Sequence, residues 1–288
     1  MRQIPGSALT GRTCSTAPAQ DWPFVVYPAA VEVIVRAMKL LPLLLSCFAL
    51  ACQQRSSSTA YEGRNPLDEM LRSPQQVTRQ DGIAAAILVD TSGSMEDQVI
   101  GADGLSISKI AVARRAVTDL IRQFEQYAAR NPDRPVRVGV YEFSSRDRQP
   151  HCRNVLPLGP PDLAAAEAAV EQMTPRGGTP IGDAMIKAKH DLDLTGMSHR
   201  HVLVVTDGKN NKGYSPGAVA DAIARQPQED RASVYFVAFD VSAERFNSVK
   251  EAGGLVLEAA DERELNQTMD FILTGRILVE QPTTPAAR

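Results

Sequence analysis

From Gly82 onward two hydrophobic periods alternate along the chain, and that alternation restricts the fold more than any other feature of the sequence. Residues 83–89 form a continuous apolar run ending at Asp90, the pattern of a strand buried on both faces. Ile110, Ala113, Val117, Leu120, Ile121 and Phe124 follow at helical spacing, with Arg114, Arg115 and Arg122 between them. Val136, Val138 and Val140 alternate with Arg137 and Gly139 as a second strand, and residues 154–158 read as an edge strand. Residues 163–173 and 181–192 read as helices, and 202–205 as another buried strand leading to Asp207. Ser215 before Pro216 is a helix opening, with serine as cap and proline in the first turn. Residues 234–239 and 255–257 supply a fifth and a sixth strand, and Leu265, Met269, Ile272 and Leu273 mark a closing helix. Strands alternating with helices of this length predict an α/β fold whose mostly parallel sheet is covered on both faces.

Composition agrees with a globular body: of 288 residues, 43% are hydrophobic and 23% charged. A formal net charge of -3 leaves no basic excess to neutralise a phosphate backbone, and 5% aromatics supply few stacking surfaces, so nucleic acid is excluded as a partner. The cysteines Cys14, Cys47, Cys52 and Cys152 form no CxxC pair and no zinc spacing.

In a parallel sheet, ligands bind at the carboxyl ends of the strands, where Asp90 and Asp207 both fall. Three segments meet that edge. ILVDTSGSM gives Asp90, Ser92 and Ser94, RGGTPIGDA gives Thr179, and VVTDGKNN gives Asp207. A carboxylate and two hydroxyls from one turn are hard oxygen donors, suited to Mg²⁺, Mn²⁺ or Ca²⁺ rather than to zinc or copper. Thr179, ahead of Pro180 and a helical pattern, also reads as an N-cap. Each segment alone is an ordinary turn; their order and their placement at strand ends carry the metal reading.

DTSGSM, GGTP and TDG together resemble the three segments of the metal ion-dependent adhesion site of von Willebrand factor A domains, and the resemblance extends over residues 82–277. Lys109-Ile110 and Ala113-Arg114 also resemble the first helix of that family, while the stretch 96–108 is several residues longer than in compact members. The resemblance implies a Rossmann-like, doubly wound sheet of six strands. It implies Ser92, Ser94 and Thr179 as direct ligands, with Asp90 and Asp207 acting through water. It implies Mg²⁺ or Mn²⁺, with Ca²⁺ less suited, and a partner protein that offers the ion an acidic residue. The implied role is binding, as adhesion or scaffolding, without catalysis.

Two other classes compete. An aspartyl phosphotransferase of the haloacid dehalogenase type also has a strand ending in Asp, but it needs a second carboxylate two residues on, where this chain has Ser92. A purely structural domain without metal is the other. Serine hydrolysis lacks a G-x-S-x-G context, and no nucleotide-binding G-x-x-x-x-G-K-[ST] loop is present. His199 and His201 read as a solvated strand start, and Cys152, after His151, as an inert thiol.

Ahead of this body, MKLLPLLLSCFALACQQ from Met38 has one lysine, a short apolar stretch and small residues before Cys52. The stretch is shorter than the about 20 residues that a bilayer span needs, and it has the layout of a signal peptide. Its end resembles a bacterial lipobox with Cys52 lipidated, Cys47 being the competing site. On this reading translation starts at Met38, residues 1–37 are an over-extended reading frame, 38–51 are the signal, 52–81 a flexible tether and 278–288 a disordered tail. The expected location is the bacterial cell envelope, lipid-anchored at the periplasmic face of the outer membrane or at the cell surface.

Overall fold

Strand β1, Gln80–Asp90, lies inside the sheet and is buried on both faces from Gly82 onward. The protein is described here from a computed structural model covering residues 65–74 and 77–281, all within the second of two units, Gly63–Arg288. The expected start site, signal segment, Cys47, Cys52 and the end of the tail lie outside the described residues. The chain continues through a ribbon of β2 (Gln98–Ile100) and β3 (Ser106–Ser108) into a long helix, Lys109–Arg130. A short helix, Pro66–Met70, precedes β1, so these are α1 and α2. There follow β4 (Val136–Arg146), β5 (Gln149–Gly159), α3 (Leu163–Val170), α4 (Ile181–Leu194), β6 (Met197–Thr206), α5 (Pro216–Ala224), β7 (Ser233–Phe239), α6 (Asn247–Glu251), β8 (Leu255–Ala259) and α7 (Glu262–Ile272).

Six strands make one sheet in the order β5-β4-β1-β6-β7-β8, parallel except for the antiparallel edge pair β4–β5. This is the expected doubly wound architecture. Ile83, Ala85, Ile87 and Val89 of β1 face a core built with α2 and α7, whereas Ala84, Ala86 and Leu88 face a second core with α4 and α5. Period-two alternation with apolar residues on both faces is what a continuous apolar run buys in a covered sheet. On α2 the buried residues Ile110, Ala113, Val117, Leu120, Ile121 and Phe124 repeat at three and four residues and form its inner stripe. Each large apolar side chain buried there contributes about 1.5–3 kcal/mol.

Several elements differ from their expectation. Strand β4 runs six residues past Val140 and turns into β5 through Asp147 and Arg148, whose φ angles are 47° and 64°. Positive φ at both residues of a two-residue loop is the geometry that matches strand twist, and neither residue is the Asn or Gly that announces it. Helix α3 stops at Val170, and its cap is Asp162, which accepts the Ala165 N–H. Ser215 holds the N-cap position of α5 but makes no capping hydrogen bond. The segment expected as a tether contains α1, and its Leu67 together with Leu71, just past its end, is buried in the α4–α5 core. Residues 278–281 are likewise held to the domain, through Glu280.

His199 and His201 lie within β6 rather than ahead of it, and His201 is fully buried, which corrects the solvated reading. They sit at the amino ends of the strands, away from Asp90. Glu280 Oε2 is 2.5 Å from His199 Nδ1 and 3.6 Å from His201 Nε2. Burial dominates at His201: its pKa falls from 6.5 to about 3, and the charges of His199 and Arg134 push the same way. Between these values the unfolded chain takes up a proton that the folded chain refuses, so stability falls as pH drops from about 6.5 towards about 3. Urea titrations across this range should show wild-type stability falling more steeply with acid than that of His201→Phe, by up to about 1.4 kcal/mol per pH unit. Parallel pH profiles would contradict it.

Candidate metal centre

Asp90 ends β1 opposite Phe143 of β4, and Thr91 fixes the turn by giving both its N–H and its hydroxyl to the Phe143 carbonyl. The chain then folds over its own carboxylate: the Ser92 N–H donates to Asp90 Oδ1 at 2.7 Å. A short 3₁₀ turn, Gly93–Glu96, follows, with fully buried Met95 as its anchor in the core. This brings Ser92 Oγ within 3.2 Å of Ser94 Oγ, and Ser94 Oγ donates to Asp207 Oδ1 at 2.8 Å. The Thr206 hydroxyl donates to the second Asp90 oxygen at 2.6 Å.

Thr179 arrives on a loop that only glycines allow. Gly177 has φ 68°, and a Cβ on it would lie 2.0 Å from the Ser145 carbonyl oxygen. Gly93 N–H donates to Gly177 O, Arg176 N–H to Thr91 O, and Gly178 N–H to Ser145 Oγ, which tie the loop to the ends of β1 and β4. Asn211 Oδ1 accepts the Thr179 N–H and Asn210 Oδ1 accepts the Ile181 N–H. Thr179 is therefore not the N-cap of α4: Pro180 holds that position, and an asparagine from another loop satisfies the first turn. The Thr179 hydroxyl has no hydrogen-bond partner among the described residues, and it borders the same space as Asp90. A Cβ on Gly208 would stand 3.1 Å from Thr179 Oγ1 and 3.7 Å from Asp90 Oδ2, so glycine keeps that space open.

All five sequence-derived residues thus converge, and the structure adds two more. Lys109, almost fully buried at the start of α2, places its ammonium 3.1 Å from Asp207 Oδ2 and 2.9 Å from Asp240 Oδ2. Burial opposes its charge, but the Asp240 and Asp207 carboxylates prevail and raise its pKa. Asp240 follows β7 directly and adopts φ 53°, a left-handed backbone uncommon outside glycine. Both residues left signals in the sequence. VAFD at residues 237–240 repeats the apolar-run-then-Asp pattern of ILVD and VVTD, and a lysine in a first helical turn opposes the helix dipole.

At Asp90 burial pushes the carboxyl pKa up to about 7, against hydrogen bonds from Thr206 and Ser92, with the Asp207 charge adding a little. A buried carboxylate in that position calls for a cation. Lys109 pairs with Asp207 and Asp240, whereas Asp90 has no ion-pair partner among the described residues, its two oxygens accepting from the Ser92 N–H and the Thr206 hydroxyl. Among the described residues no three His, Cys, Asp or Glu side chains are grouped to hold a metal, so an ion here would depend on the hydroxyls. The donor set is all oxygen and fits a hard cation.

Residues 85–210, which include every one of the five expected ligands, match the family model of the von Willebrand factor type A domain. Over that stretch the chain is similar to von Willebrand factor type A domains. Solved structures share its fold at low identity. The PilB minor pilin from Streptococcus sanguinis is 15% identical, with a TM-score of 0.52 over 71% of this chain and 63% of the pilin. BatB from Bacteroides thetaiotaomicron is 18% identical, with a TM-score of 0.50 over 67% of this chain and 99% of that one. Proximal thread matrix protein 1 from the mussel byssus is 17% identical, with a TM-score of 0.50 over 68% of this chain and 48% of that one. This chain spans less than two thirds of the pilin it matches. No curated protein matches the sequence.

Two other expectations concern residues away from this centre. His199 and His201 lie at the opposite strand ends, and half-buried Cys152 sits on edge strand β5, where burial pushes its thiol pKa up to about 12. Such a thiol stays protonated and unreactive near neutral pH.

Removing the ammonium between Asp207 and Asp240 would leave Asp207 buried beside no cation. Lys109→Met should lower unfolding free energy by about 3 kcal/mol, as expected for breaking a buried pair on one side. Asp240→Asn, with its side chain near half exposed, should cost less than half as much. Chemical denaturation of both variants without added metal checks the order, and equal losses would contradict it.

Proposed function

We propose that this von Willebrand factor A-like domain binds a divalent cation, Mg²⁺ or Mn²⁺, and through it a carboxylate of a partner protein, without catalysing a reaction. The observation that carries the reading is the meeting of Ser92, Ser94 and Thr179 hydroxyls with buried Asp90 and Asp207 at one strand edge. Ser92, Ser94 and Thr179 would hold the ion, and Asp90 and Asp207 would orient the hydroxyls and waters around it. Both oxygens of Asp207 are already engaged, by Ser94 and by Lys109, which favours an indirect role for that carboxylate. Neutral ligands leave the ion attractive to an incoming carboxylate, which is the chemistry that the cation supplies.

Against phosphotransfer, Ser92 donates its N–H to Asp90 and has no carboxylate with which to protonate a leaving group. Von Willebrand factor A domains commonly mediate protein interactions, which agrees with adhesion or scaffolding. The signal-like segment before Cys52 extends the proposal to a lipoprotein held at the bacterial cell envelope, on the periplasmic face of the outer membrane or at the surface.

Mg²⁺ or Mn²⁺ should raise the melting temperature, corresponding to about 2.7 kcal/mol at a hundredfold excess over the dissociation constant. The shift should vanish in Asp90→Ala and shrink in Thr179→Ala, and Ca²⁺, which prefers more ligands at longer bonds, should substitute poorly. Capture of an envelope protein by immobilised full-length protein should then be lost in chelator while circular dichroism stays unchanged. Equal thermal shifts in wild type and Asp90→Ala, or undiminished capture in chelator, would refute the proposal. Mass spectrometry of the membrane-extracted protein should find a diacylated cysteine at residue 52 as the N-terminus. An unmodified chain beginning at Met1 would overturn the anchor.

A further inference from the structure

The rim of the metal centre has two unlike halves. One is the ribbon of β2 and β3. Val99 and Ile107 pair across it and pack into the α2–α7 core, while Ile100 on the opposite side is 56% exposed and Leu105 at the tip 67%. This exposure does not come from looseness. Gly101 N–H donates to Leu105 O, Leu105 N–H to Asp103 Oδ1, and Ala102 N–H to buried Glu262 at the start of α7. Both roots of the ribbon are bound to the centre: Asp97 N–H donates to Ser94 O, and Lys109 follows β3 directly.

The other half consists of loops tied to Thr179 on the α4 side of the sheet. It carries Arg148, Arg176, Lys209 and Lys212, none of which has an ion-pair or hydrogen-bond partner for its side chain among the described residues. Arg148 lies in the β4–β5 turn, whose Ser145 holds Gly178. Arg176 donates its N–H to Thr91 O, and the two lysines flank Asn210 and Asn211, which hold Ile181 and Thr179. Asp147, exposed, and Asp183, which accepts the Tyr214 N–H, are carboxylates beside them, so four cations face two anions in a protein of net charge -3. Unpaired like charges held together on ordered loops attract an oppositely charged partner and steer its approach.

Building on the metal-centred reading above, we infer that the partner docks an acidic segment of defined polarity. One carboxylate reaches the metal, further carboxylates lie against the Arg148–Arg176–Lys209–Lys212 half, and bulky apolar side chains lie against Ile100 and Leu105. The apolar contact sets which acidic segment is chosen, and the basic half sets how fast it arrives.

The test uses the full-length protein in Mg²⁺ and a displayed peptide library with random flanks around a central position fixed as Asp in one arm and Asn in the other. The expected result is enrichment of the Asp arm alone, lost in chelator, with apolar residues on one flank and Asp or Glu on the other. Ile100→Ser with Leu105→Ser should abolish the apolar preference and weaken an enriched peptide about tenfold, leaving the Mg²⁺ thermal shift intact. Lys209→Ser with Lys212→Ser should abolish the acidic preference and flatten the fall of association rate with salt. Asp-dependent, metal-dependent selection with no flank preference, or preferences unmoved in these variants, overturns this inference and leaves the metal-centred reading standing. Selection indifferent to Asp and to metal, or no enrichment at all, overturns both.

Discussion

A carboxylate at the end of a fully covered strand is a demanding thing to build. β1 has helices on both faces and strands on both sides, so Asp90 emerges where no solvent reaches it. Its two oxygens are satisfied by Ser92 N–H and by the Thr206 hydroxyl, which bind the turn after β1 to the end of β6. Asp207 repeats the problem one strand over and is satisfied by the Ser94 hydroxyl and the Lys109 ammonium. Hydrogen bonding lowers the cost of burial at Asp90 without removing it, as the pKa of about 7 records. Much of the surrounding loop structure follows from these two carboxylates.

The glycines serve the same end. Gly177, Gly178 and Gly208 each lie where a Cβ would strike a neighbouring backbone atom or crowd a side chain, and their absence of side chain lets three loops converge within hydrogen-bonding reach. Asn210 and Asn211 then close the arrangement by capping α4 and holding Thr179 from a distant loop. Because Asn210 does the capping, the threonine hydroxyl is left uncommitted toward the space beside Asp90. On the proposed reading, stability and ion binding are coupled here, since the same groups hold the loops and would hold the ion. The charge balance differs at the opposite strand ends, where Asp193 lies between Lys189 and Arg200 and answers two buried cations with one anion.

The strands and helices of the domain were legible in the sequence because burial on both faces imposes a hydrophobic period that local reading detects, as residues 83–89 and the α2 stripe show. The five oxygen-bearing residues that meet at the strand edge were legible because they lie at or just after strand ends and before a helix, in three compact motifs. What local reading misassigned depends on contacts between residues far apart in the chain. Thr179 has the sequence of a cap, yet the Ile181 N–H is satisfied by Asn210, 29 residues from it. His201 looks polar enough for a solvated start, yet Tyr235 and the α2–α7 layer enclose it. Leu67 and Leu71 make too short a stripe to stand out from a tether until the α4–α5 core provides a surface for them.

By itself, then, the sequence determined the alternating α/β architecture and the oxygen chemistry of the strand edge, since both arise from residue type and spacing. The tertiary structure alone decided which charges meet. Lys109 and Asp240 are 131 residues apart and join Asp207 only when β6, β7 and α2 are assembled. It also decided that the stretch 96–108 folds into a fixed ribbon with apolar side chains facing outward, and that unpaired cations gather on the other side of the centre. Those outcomes follow from Coulomb attraction and exclusion of water across long sequence separations, and no local pattern of residues encodes them.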